Sequence, residues 1–316
     1  MKVFAVTVAA VAALANLPSA LGWWDNGHML VGEVATQLMD PVDVATINSV
    51  LAAWKDEFPN TETITTTAVW PDLIKCTSKS AYCILDGLST DLLEKSVTTL
   101  ATTKSNWAAN LLLRQFIHVF GDAHQPLHTI GGVSPGLPGG DAGGNSYTFA
   151  SPCAFSNLHA LWDAAAGEYS LNNWNETMDF TPQLVANATE LISWLPAIAD
   201  PLNFDQYKDL SFSAFSTAMT GTNKGLRQVI LDSYSYANTV VYSGLDLKLV
   251  DSKNVACPSK AGLDLTFVNK KVPCPSKTYT DWAATVAKFR IALGGKRLAV
   301  VLTQFARQLR TLGLAQ

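Results

Sequence analysis

The chain has 316 residues, 48% of them hydrophobic, 15% charged and 9% aromatic, with a formal net charge of −4 at pH 7. That is enough for one large domain or two small ones around a sizeable core, and too apolar for a chain that stays disordered. It also excludes the broad basic surface on which most DNA-binding domains rely, so positive charge for a nucleic-acid partner has to come from something other than Lys and Arg.

In chain order, residues 1–22 resemble a secretory leader. Lys2 supplies the positive start, Val3 to Ala15 is an apolar run, Pro18 breaks it, and Ala20-Leu21-Gly22 places small residues for cleavage before Trp23. The run is too short for an ordinary membrane span, so no stable membrane association is expected. Residues 23–316 then form one mature domain. Helical periodicity marks Leu30 to Met39, Asn106 to Ala123, Leu184 to Ile198, Gly225 to Leu247 and Tyr279 to Leu312. Strand signals are few. Gly131 to Gly144 is half glycine and is a loop. The segment Val250 to Pro275 is an excursion pinned by cysteines. The expected fold is all-α, a single mainly helical domain with Gly/Pro-rich loops and disulfides.

The five cysteines show no C-x-x-C spacing, and in an exported protein disulfides are the default. Cys76 with Cys83 and Cys257 with Cys274 are the simplest pairs, leaving Cys153 over. Asn175-Glu-Thr177 and Asn187-Ala-Thr189 are N-glycosylation sequons that fit export.

The histidines are unevenly spent. There are five, His28, His118, His124, His128 and His159, and four of them crowd into the stretch from 118 to 159 among Asp122, Asp141 and Asp163. His118 and Asp122 are four apart on a helix, so both side chains share one face; His159 and Asp163 repeat that geometry. Pro126 ends the first helix, and His128 follows it. Imidazoles and carboxylates without thiolates suit zinc with a position left open for water. One such pair alone is more often a surface ion pair; two pairs with a third histidine favour a metal site. His124 points away from the His118–Asp122 face and is read as supporting. Leader removal would free the α-amine of Trp23, which with its own carbonyl can chelate a metal beside His28. Gly132-Val-Ser134-Pro-Gly136 matches a nucleophile elbow but lies in a loop, and Pro135 removes the N–H an oxyanion hole needs, which argues against a serine hydrolase.

With these residues in view, the chain resembles the secreted zinc-dependent class I nucleases, or nuclease/3′-nucleotidases, of the phospholipase C/nuclease superfamily. The words that carry the resemblance are the Trp23…His28 start, TAVWPDLIK around Asp72, FIHVFGDAHQPLH ending at His128, DAGGN from Asp141 to Asn145, NLHALWD ending at Asp163, DSYSYANTVVY around Ser233, and GGKRLAVVLTQ from Gly294. The resemblance implies three zinc ions. The first is held by Asp72, His118 and Asp122, the second by His128, His159 and Asp163, and the third by Trp23, His28 and the bridging Asp122. It places Lys75 near the phosphate and gives Asn145 a role in orienting substrate or ligands. It also implies a monomer that cuts single-stranded DNA and RNA to 5′-nucleotides and acts on 3′-nucleotides, through a hydroxide bridging two zincs.

The chain departs from the family at one point. The family has a further zinc-binding histidine, in a W-H-[YF] word, between the positions of Asp72 and His118; here Cys76 to Leu113 contains none. AYCILDGLSTD also reads like a join across a missing segment between Cys83 and Asp86. Two alternatives therefore stand beside the nuclease: an impaired or non-catalytic relative, and a zinc phospholipase C, against which the DAGGN and NLHALWD words speak.

Overall fold

The computed structural model describes residues 23–74, 90–130, 141–169, 174–177, 179, 181–242 and 273–315. The expected leader, Lys75, Cys76, Cys83, Cys257 and most of the 250–275 excursion lie outside these residues. Eleven α-helices follow one another along the described chain: α1 (Asp25–Leu38), α2 (Pro41–Ala52), α3 (Ile64–Thr67), α4 (Trp70–Leu73), α5 (Thr90–Leu100), α6 (Asn106–Asp122), α7 (Leu158–Asp163), α8 (Thr181–Trp194), α9 (Phe212–Met219), α10 (Gly225–Tyr236) and α11 (Lys277–Thr311). No strand occurs among the described residues; a single antiparallel bridge pairs Thr148 with Asn157. The fold is all-α.

Local chemistry sets the helix starts. Asp40 caps α2 by accepting Val42 N–H at 2.8 Å, with Pro41 in the first turn. Ser105 caps α6 through Ala108 N–H at 3.2 Å, and Asn157 caps α7 through Ala160 N–H at 2.8 Å. Ser276 starts α11 in the same way. Asn106 to Ala123 and Tyr279 to Leu312 thus match α6 and α11 within two residues. Helix α1 begins five residues before the expected Leu30, because the polar residues Asn26 and His28 are buried and break the apolar pattern there. Helix α10 stops at Tyr236 and passes into a π-helical turn, Ala237–Val241, rather than continuing to Leu247 as one α-helix.

Helix α11, about 50 Å long at 1.5 Å per residue, is the axis of the domain, and α1, α2, α6 and α8 pack along it. Its middle, from Ile291 to Phe305, is almost wholly buried. The α1–α11 crossing needs Gly295, since a Cβ there would lie 2.4 Å from Val34 Cγ1. Phe116 and Phe120 of α6 complete this core with Phe305 and Phe204. A smaller cluster of Trp162, Tyr147, Phe149, Tyr242 and Tyr279 seats α7, with the Trp162 indole donating to the Tyr279 hydroxyl at 2.9 Å.

The disulfide pattern corrects the expectation from spacing. Cys274 bonds Cys153, not Cys257, with Cα atoms 5.7 Å apart across 121 positions of sequence. The Thr148–Asn157 bridge folds the 150–157 loop back so that Cys153 meets the approach to α11. The residue expected to be left over is therefore paired. Among the described residues no helix is long and apolar enough to cross a membrane.

Candidate metal centre

Five elements converge at the C-terminal end of α6. His28 arrives from α1, Asp72 from α4, and His118 and Asp122 from the last turns of α6. His128 sits on the 3-10 turn Pro126–Thr129, and His159 and Asp163 project from α7. Pro126 follows α6 and starts that turn, which carries the chain from Asp122 to His128. The i,i+4 spacing does what helical geometry requires: His118 Nε2 is 3.3 Å from Asp122 Oδ2, and His159 Nε2 is 3.3 Å from Asp163 Oδ2.

Contacts between elements fall in the same narrow range. His28 Nε2 lies 3.1 Å from Asp122 Oδ1, His118 Nε2 lies 3.3 Å from Asp72 Oδ1, and His128 Nε2 lies 3.2 Å from His159 Nε2. His28, His118 and Asp122 form one group able to hold a metal ion, and His128, His159 and Asp163 form a second. Asp122 also faces the second group, 4.0 Å from His128 Nδ1.

The orientation of the rings decides what these short contacts mean. His118 Nδ1 is 2.7 Å from the Ala68 carbonyl oxygen, and His159 Nδ1 is 2.7 Å from that of Gly143. A carbonyl only accepts, so each Nδ1 carries a proton, and in the neutral ring each Nε2 presents a lone pair to a carboxylate oxygen. Both ring nitrogens of His28 and Oδ1 of Asp122 are buried without a hydrogen-bond partner. Lone pairs brought this close repel each other unless a cation lies between them. Ligands about 2.0–2.1 Å from a tetrahedral ion stand about 3.3 Å apart, which is the spacing found. The donor set therefore fits a divalent metal of the zinc type.

The electrostatics agree. Burial pushes the Asp122 carboxyl up, but positive charge on the surrounding His118, His128 and His28 outweighs burial and holds it far below the usual carboxylate range, so the position suits a carboxylate facing positive charge, which a cation supplies when the rings are neutral. His28 is fully buried, and burial with the neighbouring His118 lowers its basicity and keeps it available as a neutral donor. The His28 and His118 rings stack at 4.0 Å.

Around the donors lies a shell of supporting contacts. The Gln125 side chain donates to Asp163 Oδ1 and accepts the Leu127 N–H, tying the His128 turn to α7. Tyr242 donates to the buried Asp141 at 2.8 Å, and Asn145 closes the DAGGN turn by donating to the Ala142 carbonyl at 2.8 Å. Behind α6, Arg290 donates to the His124 carbonyl at 3.1 Å and Ser233 donates to that of Ala123. His124 is fully buried, with Nδ1 2.8 Å from the Phe120 carbonyl and Nε2 3.3 Å from Arg297, so it supports the helix end and does not face the metal groups. Trp23 is fully buried with its indole donating to Gly121 O at 3.1 Å, and Trp24 N–H donates to Asp163 O at 3.0 Å, so the 23–24 segment is bound between the two groups. Sequence reasoning missed Gln125, although it sits inside the HQPLH word.

Against known families, residues 23–85 and 81–307 match the S1/P1 nuclease model. The chain belongs to the S1/P1 nuclease family. Nuclease S1 of Aspergillus oryzae (strain ATCC 42149 / RIB 40) is 24% identical to it over 268 residues, covering 75% of this chain and 86% of that protein. The S1/P1 match falls in two pieces that meet at residues 81–85, within the word AYCILDGLSTD.

Proposed function

We propose that this S1/P1 nuclease family member is a secreted, zinc-dependent endonuclease. It hydrolyses phosphodiester bonds of single-stranded DNA and RNA to 5′-nucleotides and dephosphorylates 3′-nucleotides. The observation that carries the reading is the facing of imidazole nitrogens and carboxylate oxygens at 3.1–3.3 Å in two adjacent groups, His28, His118 and Asp122 in one and His128, His159 and Asp163 in the other. Asp72, His118 and Asp122 would hold one ion, His128, His159 and Asp163 a second, and His28, Asp122 and the Trp23 amine and carbonyl a third. Bound zinc supplies Lewis-acid polarisation of the phosphate and an activated water.

The chain's own residues arrange the rest. Asp122 links the groups. Gln125 orients Asp163, and Ala68 and Gly143 aim the rings of His118 and His159. Three divalent ions outweigh the carboxylates that hold them, so an acidic protein presents a locally positive pocket to phosphate. Lys75 and Asn145 are assigned to phosphate and substrate orientation. The Trp23 amine requires removal of residues 1–22 as a leader, leaving 23–316 as the working domain, glycosylated at Asn175 and Asn187.

The test is cleavage by the secreted chain in zinc. Heat-denatured DNA and 3′-AMP are consumed, duplex DNA resists, and phosphatidylcholine is untouched; N-terminal sequencing reads Trp-Trp-Asp-Asn-Gly. Zinc-loaded protein inert on all of these substrates refutes the reading. The second reading, a relative with impaired catalysis, has its own support in the absence of any histidine between Asp72 and His118 and in the two-piece family match.

A further inference from the structure

We infer that Arg114 is the positioning residue of the first metal site: its guanidinium locks the stretch that carries the Ala68 carbonyl and Asp72, and through that carbonyl it sets the ring of His118. The inference deepens the zinc reading above and rests on it for its consequence. Arg114, His118 and Asp122 follow one another at four-residue steps on α6, so the three side chains share one face of successive turns. Arg114 lies amid an apolar stretch and is fully buried. It donates to Asn110 Oδ1 at 2.8 Å, Leu51 O at 3.0 Å, Thr61 O at 2.9 Å, Thr61 Oγ1 at 2.7 Å and Thr67 Oγ1 at 3.1 Å. None of these five acceptors is a carboxylate. The planar fork of donors ties the end of α2, the Thr61 loop and the end of α3 to α6.

What the fork holds is the approach to the metal. Thr67 ends α3, and Ala68 follows it. Ala68 O accepts the His118 Nδ1 proton at 2.7 Å, which leaves His118 Nε2 3.3 Å from Asp72 Oδ1 and 3.3 Å from Asp122 Oδ2. Trp70, two residues before Asp72, opens α4 with its ring centroid 5.4 Å from the Arg114 guanidinium carbon, and Phe58 covers the same group at 5.1 Å. Arg114 therefore grips the chain on both sides of Ala68. Without the Thr67 contact the carbonyl is free to shift against α6, the His118 ring loses the acceptor that fixes its tautomer, and Nε2 no longer aims its lone pair between the two carboxylates. His159 takes its acceptor from a different stretch, Gly143 O at 2.7 Å, so the second group serves as an internal control.

The experiment compares wild type with Thr67→Val, Thr67→Ser and Arg114→Lys. Nitrogen NMR of isotope-labelled histidines in the metal-free protein reads the tautomers, and zinc titration against a chelator reads the sites. Wild type is expected to show His118 and His159 protonated at Nδ1. Thr67→Val keeps the side-chain shape but removes the acceptor, and Arg114→Lys keeps the charge but removes the fork. Both are expected to show His118 spread over two tautomers with His159 unchanged, and to lose about 10–100-fold in zinc affinity at one of the sites, the range for an outer-shell partner. Thr67→Ser, which keeps the hydroxyl, is expected to match wild type in both readouts. A merely structural role would loosen His118 and His159 alike, or neither. An unchanged His118 tautomer in Thr67→Val, equal changes at His118 and His159, or a Thr67→Ser as impaired as Thr67→Val would each overturn the inference and leave the zinc reading standing. The two Thr67 variants decide the matter even if Arg114→Lys does not fold. A wild type that binds no zinc would overturn the zinc reading, while the tautomers would still show whether Arg114 sets His118.

Discussion

Gly143→Ala tests whether the loop between α6 and α7 sets the second metal group. Gly143 has φ of +62°, in the left-handed region, and a Cβ there would sit 2.3 Å from Leu127 O, 3.4 Å from His159 Nδ1 and 3.4 Å from Ile130 O. The first of these falls short of van der Waals contact by roughly 1 Å. Left-handed backbone costs an L-residue about 1–2 kcal/mol, and overpacking adds about 1–3 kcal/mol. The sum, about 2–5 kcal/mol, lowers Tm by roughly 3–8 °C in a domain of this size. The clash is also directional. Leu127 belongs to the turn that carries His128, and Gly143 O receives the His159 Nδ1 proton at 2.7 Å, so one methyl group displaces both imidazoles. Zinc affinity at that group is expected to fall about 10–100-fold, as for loss of an outer-shell partner. Calorimetry of the metal-free protein reads the first effect, and zinc titration under chelator competition reads the second. A melting point within about 1 °C of wild type together with unchanged zinc affinity would refute the reasoning.

The neighbouring Ala142→Gly should act in the opposite sense: Ala142 is exposed with φ of 53°, so glycine relieves strain and stabilises by about 0.5–1 kcal/mol, visible as a small rise in chemical-denaturation midpoint. Stripping metal with a chelator lowers Tm by about 10 °C or more, because an ion at about 1,000 times its Kd contributes about 4 kcal/mol and two groups of donors are present; an unchanged melt with chelator would count against any metal there. Asp232→Asn, which removes the charge facing Arg290 at 2.7 Å and Arg297 at 2.8 Å, costs about 3–5 kcal/mol because it leaves the buried Arg290 guanidinium without a carboxylate, while Arg297 keeps Asp200. The same cluster sets an acid limit. Burial raises Asp200 and Asp232, but the arginines beside them outweigh it and hold both below the usual value. Their contribution is full above about pH 4 and is lost as pH falls through the lower folded values; the acid limb of the melting curve is therefore expected to be shallower in Asp232→Asn, and an unaltered limb would show that the ion pairs do not set it.

What the sequence made legible was whatever is local. His118 with Asp122, and His159 with Asp163, announce themselves because both members sit on one helix face, and α6 and α11 because a long apolar stripe keeps its period. Thr90–Leu100 went unread because Thr90, Thr98 and Thr99 dilute the stripe that Leu93, Val97 and Leu100 bury. Pro41–Ala52 and Phe212–Met219 also went unread, although Asp40-Pro41 and Ser211 are good starts. The Cys153–Cys274 bond was hidden for the opposite reason: it joins positions 121 apart, which spacing alone does not pair. Charged residues such as Arg290 and Arg297 look like surface in a sequence, yet both are fully buried.

That buried cluster helps to explain how two groups from distant stretches come to lie side by side. Asp232 ties Arg290 to Arg297, and Arg297 also holds Asp200 at 2.7 Å. From this frame Arg290 takes the His124 carbonyl and Ser233 takes that of Ala123, which are the carbonyls immediately after Asp122, where α6 ends. The end of α6 is thus fixed to α10 and α11, while Gln125 fixes the following turn to Asp163 on α7. The distance from the His118–Asp122 pair to the His128–His159 pair is set by α10, α11 and α7 together, so a substitution at Asp232 or Gln125 should disturb the coupling between the two groups before it disturbs either donor set alone.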